Sequence, residues 1–324
     1  MKEPLVSISI VNWNGKEMTA ECLESLKKLK YKNYEVIVVD NGSNDGSVEF
    51  LKKIPEIKLV CHKENKGFTG GHNTAYKVMK GKYLCLFNND MVADPMWLTR
   101  LVEVLEKDPK AGACAGGRFD WNEKNPAYNQ KNILRTIKHL NKYTGFPWEE
   151  NYRESLENCD IITAGAVLIR KSVLDKIGFF DDDFFAYAED RDLFARMKRA
   201  GYKTMFVPKA YIWHKISATG KRNKYKFYFF TYRNHIYFLY KNFDSGYLQF
   251  ALLRYLFRET KNNLKEIIVN DRDHNLEKAR WDVFKWYFKN LKKLRRKRKE
   301  SQKMFPGIKF NKLIGNVRKP KPKN

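Results

Sequence analysis

The stretch KYLCLFNND, residues 82–90, decides the reading of the fold. Tyr83 to Phe87 form a continuous apolar run, which suits a strand buried on both faces of a parallel sheet, although periodicity alone leaves a buried helix open. The run then stops at two amides and a carboxylate, Asn88, Asn89 and Asp90. Asn and Asp are common in turns, so the triplet reads either as a turn or as a polar site at a strand's carboxyl end. That edge is where open α/β sheets bind ligands.

Outward from this strand, apolar runs and helical patterns alternate. LVSISIV precedes a helical pattern from about Lys16 to Leu29; YEVIVVD precedes one near Ser47 to Lys53; IKLVC precedes one near Thr69 to Met79. After YLCLF come a helical pattern from Pro95 to Glu106 and the run AGACAG. A polar excursion over residues 118–158 follows, then IITAGAVLI, the helical EDRDLFARMKRAG and the strand YKTMFVP. Such alternation predicts βαβ crossovers and a mostly parallel sheet with helices on both faces.

A chain of 324 residues with 43% hydrophobic content can bury one large core or two modest ones. Charge divides it. Residues 1–220 carry 34 Lys+Arg against 29 Asp+Glu, and residues 221–324 carry 29 against 8, so +21 of the net +26 lies in the last third. Cys22, Cys61, Cys85, Cys114 and Cys159 show no CxxC spacing, which favours a reducing compartment and argues against structural zinc. No run reaches 18 apolar residues, and MKEPLVSISI lacks the layout of a cleavable signal, so neither a membrane span nor secretion is expected.

The polar strand ends carry the candidate chemistry. NWNG after the first strand is not GxGxxG, which excludes a nicotinamide fingerprint there. Asp40, followed by NGSNDGS, reads as a turn with a helix cap or as an acceptor for a nucleotide base or ribose. ENKGFTGGHN places Asn65, Gly67 and Asn73 ahead of a helix, where backbone amides can approach a ligand closely. Glu189 and Asp190 fall at the start of a helical pattern; they serve helix capping and its dipole, or supply a general base lining a cleft. His214, read as lying several residues beyond the last strand, is an exposed or structural histidine or a metal ligand.

Taken in order, SISIVNWNG, VIVVDNGSNDGS, ENKGFTGGHN, LFNND, ITAGAVLIRKSVLDKIGFFDDDFF, YAEDRDLFARMKRAGY and His214 resemble the inverting family 2 glycosyltransferases of the GT-A fold, particularly their rhamnosyltransferase-like branch. The resemblance spans about residues 5–216. It implies that Val11, Asn12 and Asp40 contact the nucleotide, with Asn65, Gly67, Asn73, Asn88 and Asn89 around the ribose and diphosphate. Asp90 matches the last aspartate of the Asp-x-Asp metal motif, and His214 a histidine that completes the shell of a Mg2+ or Mn2+ ion. Asp190, next to Glu189, matches the catalytic base. Asn88 stands where the motif's first aspartate would be, which removes one anion from the hold on the ion.

The chain accordingly divides into a catalytic domain at 1–220, an aromatic and basic helical region at 221–312 and a disordered basic tail at 313–324. In the helical region Trp281, Phe284, Phe288 and Leu291 recur at helical spacing above a cationic face. That face either packs on the catalytic domain or lies in an anionic membrane surface. Nucleic acid is disfavoured as a partner, because no recognised binding module accompanies the charge. The resulting expectation is a metal-dependent enzyme on the inner face of the cell membrane. It would move a sugar such as rhamnose from a UDP-, dTDP- or GDP-linked donor to a glycan or a polyprenyl-diphosphate-linked acceptor in surface-polysaccharide synthesis. The competing readings are a basic nucleic-acid-binding protein and an inactive membrane adaptor on the same scaffold.

Overall fold

A computed structural model describes residues 3–120, 133–134, 137–144, 147–149, 157–162, 165–215, 223–269 and 273–314. The alternation read from the sequence is realised as β1 (Val6–Asn12), α1 (Lys16–Lys27), β2 (Tyr34–Asp40), α2 (Ser47–Leu51), β3 (Ile57–Cys61), α3 (Gly67–Val78) and β4 (Tyr83–Phe87). The short β5 (Met91–Ala93), α4 (Trp97–Lys107) and β6 (Ala111–Asp120) complete this half. β1 pairs in parallel with both β2 and β4, and β2 with β3, so every loop that follows these strands opens on one sheet edge.

Burial explains why the sequence makes these strands. All five residues of β4 are fully buried. Tyr83, Cys85 and Phe87 join the core that α1 and α4 cover, while Leu84 and Leu86 join the core on the opposite face. A strand sandwiched between two helical layers has no polar side to show, which is why its apolar residues run without alternation.

The second half departs from the sequence reading in two places. IITAGAVLI, read as one strand, is split: β7 (Ile133–Leu134), β8 (Ile137–Leu140), β9 (Pro147–Glu149) and β10 (Glu157–Cys159) precede a two-residue β11 (Ile161–Ile162) and the separate β12 (Ala166–Arg170). β12 runs antiparallel between β4 and β6, reversing direction within an otherwise parallel central sheet. After α5 (Lys171–Ile177) and α6 (Glu189–Arg199), the last strand does not stop at Pro208. It continues as β13 (Lys203–His214), and its pairing with β6 shifts register between Val207 and Tyr211. Proline is tolerated at such an irregularity, so it marks a bulge here rather than an end. His214 therefore lies within the strand, not several residues beyond it.

Four longer helices follow: α7 (Lys224–Asn242), α8 (Ser245–Val269), α9 (His274–Lys289) and α10 (Leu291–Met304), then the short α11 (Phe310–Leu313). Tyr237, Phe238 and Leu239 of α7 and Leu294 of α10 share one core with Phe184, Leu193 and Phe194 beside and on α6. A buried ionic knot reinforces this seam. Lys241 lies 2.8 Å from Asp181 and 2.9 Å from Asp192, and Lys297 reaches Asp181 at 3.1 Å. Burial alone would raise the Asp181 pKa, but the Lys241 and Lys297 cations hold it well below the usual carboxylate range. Of the tail read as disordered, Leu313 ends α11 and Ile314 is buried in this core, while 315–324 lie outside the described residues. Much of the 118–158 excursion, for which the sequence offered no motif, lies outside them as well.

Candidate active site

Two polar clusters occupy the edge where β1, β2 and β4 end. In the first, the buried Asn12 side chain donates to Asp40 Oδ2 at 2.8 Å and to Ser43 Oγ at 3.3 Å. Its Oδ1 accepts from Thr19 Oγ1 at 2.8 Å and from Asn89 Nδ2 at 3.0 Å. Asp40 in turn receives the Ser43 backbone N–H at 2.8 Å and the Ser43 hydroxyl at 2.7 Å. Three of the residues singled out in the sequence, Asn12, Asp40 and Asn89, thus meet in one network that spends its own hydrogen bonds. The sequence reading missed Thr19 and Ser43, whose only signal was their proximity to those motifs.

The second cluster is a pair. β5 follows Asp90 directly and pairs antiparallel with β13, setting Met91 opposite His214. The Lys215 N–H donates to Asp90 O at 2.9 Å, closing the ladder. This register brings together residues 124 positions apart: His214 Nε2 lies 3.1 Å from Asp90 Oδ2, and both side chains are 13% exposed. Asp90 Oδ1 and His214 Nδ1 are buried and have no hydrogen-bond partner among the described residues. An unpartnered buried carboxylate oxygen is costly, which makes the pair a candidate position for a cation or a donor. Its field reaches Cys22, whose thiol pKa is pushed up first by burial and then by Asp90.

The remaining predicted residues are placed as follows. The Asn88 N–H donates to Gly165 O at 2.7 Å, which ties the loop after β4 to the start of β12. Val11 packs under α3, where a Cβ on Gly71 would sit only 2.6 Å from Val11 Cγ2. Asn65 Oδ1 accepts the Gly67 N–H at 2.8 Å, and Gly67 O accepts from Asn41 at 2.9 Å. Asn73 turns away from this loop and donates to Phe180 O at 2.9 Å and Asp182 Oδ1 at 2.7 Å.

Glu189 and Asp190 begin α6 after a contorted approach. Phe185, Tyr187 and Ala188 have φ of 64°, 71° and 66°, a region that side chains other than glycine rarely adopt. This approach is joined to the same sheet edge: the Thr69 N–H donates to Phe185 O at 3.1 Å, and Gly67, itself at φ 73°, leaves no room for a Cβ against that carbonyl. Glu189 is 8% exposed and its Oε2 has no partner. Burial, and after it the Asp190 charge, push the Glu189 pKa well up. Asp190 is half-buried and accepts the Arg191 N–H at 2.7 Å. Burial thus favours the neutral form of the Glu189 carboxyl, which sits next to the more open Asp190.

Comparison with known proteins gives the family. Residues 7–178 match the family model described as Glycosyl transferase family 2. The chain is 31% identical over 237 residues to the probable glycosyltransferase YdaM of Bacillus subtilis (strain 168), covering 68% of this chain and 53% of that protein. It is 26% identical over 185 residues to the UDP-Glc:alpha-D-GlcNAc-diphosphoundecaprenol beta-1,3-glucosyltransferase WfaP of Escherichia coli, covering 52% of this chain and 62% of that one. The chain spans about a third to a half of the length of the curated relatives it matches first. Among solved structures, GalNAc-T7 crystallised with UDP, GalNAc and Mn2+ superposes with a TM-score of 0.63 at 15% identity, over 94% of this chain and 58% of that one. At that identity the likeness speaks for the GT-A fold.

Proposed function

The chain belongs to glycosyl transferase family 2, and from that premise we propose that it is a divalent-metal-dependent, inverting glycosyltransferase. Its donor is a UDP-, dTDP- or GDP-linked sugar, rhamnose being the one the sequence resemblance favours. Its acceptor is a glycan or a polyprenyl-diphosphate-linked glycan of surface-polysaccharide synthesis. The naming of a lipid-linked acceptor for the Escherichia coli relative, and of UDP and Mn2+ for GalNAc-T7, supports this reading.

The observation that carries it is the buried, partnerless Asp90 Oδ1 beside His214. Asp90 and His214 would hold Mg2+ or Mn2+. Among the described residues no group of three or more His, Cys, Asp or Glu could hold a metal. A hard cation that takes one or two protein ligands and fills its shell with diphosphate oxygens and water fits so sparse a set. When bound, such an ion neutralises the departing diphosphate as a Lewis acid.

The chain's own side chains do the rest. Asn12, Asp40 and Asn89 shape the nucleotide end of the site, with Val11, Asn65, Gly67 and Asn88 around it, while Asn73, committed to Phe180 and Asp182, ties α3 to the approach to α6 instead. Asp190 takes the proton of an acceptor hydroxyl as that oxygen attacks the anomeric carbon from the face opposite the leaving nucleoside diphosphate. The C–O bond to the acceptor forms as the C–O bond to phosphate breaks, inverting the centre. Glu189, held protonated by burial, adds no second negative charge beside the base.

The C-terminal helices give the enzyme a surface for its acceptor's membrane. No described helix is long and apolar enough to cross a bilayer. Yet Phe257 is 74% and Trp281 58% exposed; Trp281 stacks on Phe284, Phe288 meets Phe284 edge to face, and Lys285 lies over Trp281. Aromatics beside lysines and arginines suit the headgroup layer of an anionic membrane, here the inner face of the cell membrane.

The deciding experiment measures thermal stabilisation by UDP, dTDP and GDP with and without Mn2+, then transfer from the matching sugar nucleotides. One nucleotide should stabilise the protein only with Mn2+, and Asp90→Asn should abolish that dependence. Stabilisation by none of the three would overturn the assignment.

A further inference from the structure

The segment that delivers Glu189 and Asp190 is strained and contains no glycine. Phe185, at φ 64° and ψ −61°, centres a γ-turn of the rare positive-φ kind, closed by the Ala186 N–H donating to Phe184 O at 2.7 Å. Tyr187 and Ala188 follow at φ 71° and 66°. Such a conformation persists only where its surroundings over-determine it. On one side the start of α3 holds it, through Thr69 and the close approach of Gly67.

On the other side stands a single buried amide of α7. Asn234 Nδ2 lies 2.9 Å from Phe184 O, 2.6 Å from Ala186 O and 2.7 Å from Tyr187 O. Asn234 is fully buried, and its Oδ1 accepts from Arg233 Nε at 2.7 Å and Nη2 at 2.5 Å. The flipped amide would set an oxygen against three carbonyls and a nitrogen against a guanidinium, so the network allows one orientation. Arg233 Nη2 extends the clamp to Asp183 O at 2.6 Å and Phe184 O at 2.8 Å. Helix interiors disfavour Asn, and this one's amide N–H bonds all go to another segment.

We propose that Asn234 is a positioning residue of the transfer site: by gathering the carbonyls of Phe184, Ala186 and Tyr187 it fixes the turn from which Glu189 and Asp190 enter. The assignment rests on the proposed transfer reaction for its kinetic consequence, though not for its structural one. It also makes α7, which lies beyond the family-matched residues 7–178, part of what aligns the base.

The test compares Asn234→Ala and Asn234→Asp with Leu239→Ala, a core truncation on the same helix that leaves the clamp's donors intact. Misalignment of a base by about 1 Å costs on the order of 100-fold, so Asn234→Ala should lower kcat by about that factor with donor KM within about threefold. Leu239→Ala should keep kcat within about threefold at an equal loss of Tm. Asn234→Asp, which retains size but turns the donor into an oxygen, should be the worse of the two Asn234 variants. Hydrogen exchange at residues 185–191 should speed up in both Asn234 variants and not in Leu239→Ala. A kcat loss no greater than that of Leu239→Ala, or Asp tolerated better than Ala, would overturn the proposal, as would unchanged exchange. The exchange measurement needs no turnover. A wild-type protein that transfers nothing would therefore sink the proposed reaction, while exchange decides the clamp separately.

Discussion

The two polar clusters at the carboxyl edge of the sheet each hold one aspartate and behave oppositely. Around Asn12 the amide and the Asp40 carboxylate are tied to Ser43, Thr19 and Asn89 within the protein. At Asp90 and His214 a single contact of 3.1 Å joins the two side chains, and a buried oxygen and a buried nitrogen remain unmatched. A satisfied network contributes rigidity, and an unsatisfied one holds free energy in reserve for a ligand. On the proposed reading the first cluster is scaffold at the nucleotide end, whereas the second is the position at which binding should change most.

The comparison breaks most visibly at Asp90. Asp90→Asn keeps the shape and can keep the contact to His214, but removes the anion. Transfer should fall by about 10³-fold or more, equivalent to about 4 kcal/mol of barrier, while Tm stays level or rises because an uncompensated buried charge has gone. Calorimetric titration of Mn2+ with nucleoside diphosphate should show the affinity lost. If the variant still bound Mn2+ as the wild type does, the pair would not be the metal site. Asp190→Asn comes next, with a loss of about 10²–10³-fold in kcat and nucleotide affinity intact. Wild-type kcat in that variant would move the base elsewhere.

How far the sequence revealed these clusters follows from what each depends on. The parallel half was legible because β4 and its neighbours are buried on both faces, and short apolar runs alternating with helical patterns point to a parallel sheet. Asn12, Asp40 and Asn89 were legible as strand ends. The pairing of Asp90 with His214 rests on β5, three residues long, meeting a strand that runs through a proline. No local pattern announces that register, and Pro208 pointed to an earlier end. Asn234 was missed for a similar reason: its partners are carbonyls nearly fifty residues away in a turn whose positive φ values fall on Phe, Tyr and Ala. Its one visible signal was an Arg-Asn-His triplet within an otherwise aromatic helix.

A truncation on the scaffold side sharpens the contrast. Asn12→Ala strands the buried Thr19 hydroxyl proton and takes one donor from the buried Asp40 Oδ2, while the half-buried Asn89 amide loses one acceptor and keeps Thr19 Oγ1 at 3.1 Å. Each stranded group costs about 1–3 kcal/mol before relaxation, and Ser43 still serves Asp40, so a net loss of about 2–3 kcal/mol is expected in a urea titration. That loss of stability should far exceed any shown by Asp90→Asn. Equal effects of the two substitutions on stability would erase the distinction between the clusters.

Glu189 offers the smallest and most specific test, because its Oε2 is as unmatched as Asp90 Oδ1 yet its answer to burial is to keep its proton. Its folded pKa is raised above the unfolded one, so over the interval between them the native state binds the extra proton. Stability contributed by this group is therefore fully present below the ordinary carboxylate range and declines as pH rises toward the folded pKa. Glu189→Gln mimics the protonated acid and has nothing to release. The Tm of the Gln variant relative to wild type should therefore climb by about 3 °C between about pH 5 and about pH 9. A difference that stays flat across that range would mean that Glu189 ionises in the folded protein as it does in the unfolded chain. Asp190 would then share its end of the site with a second anion, and the separation of roles between the two carboxyls would be lost.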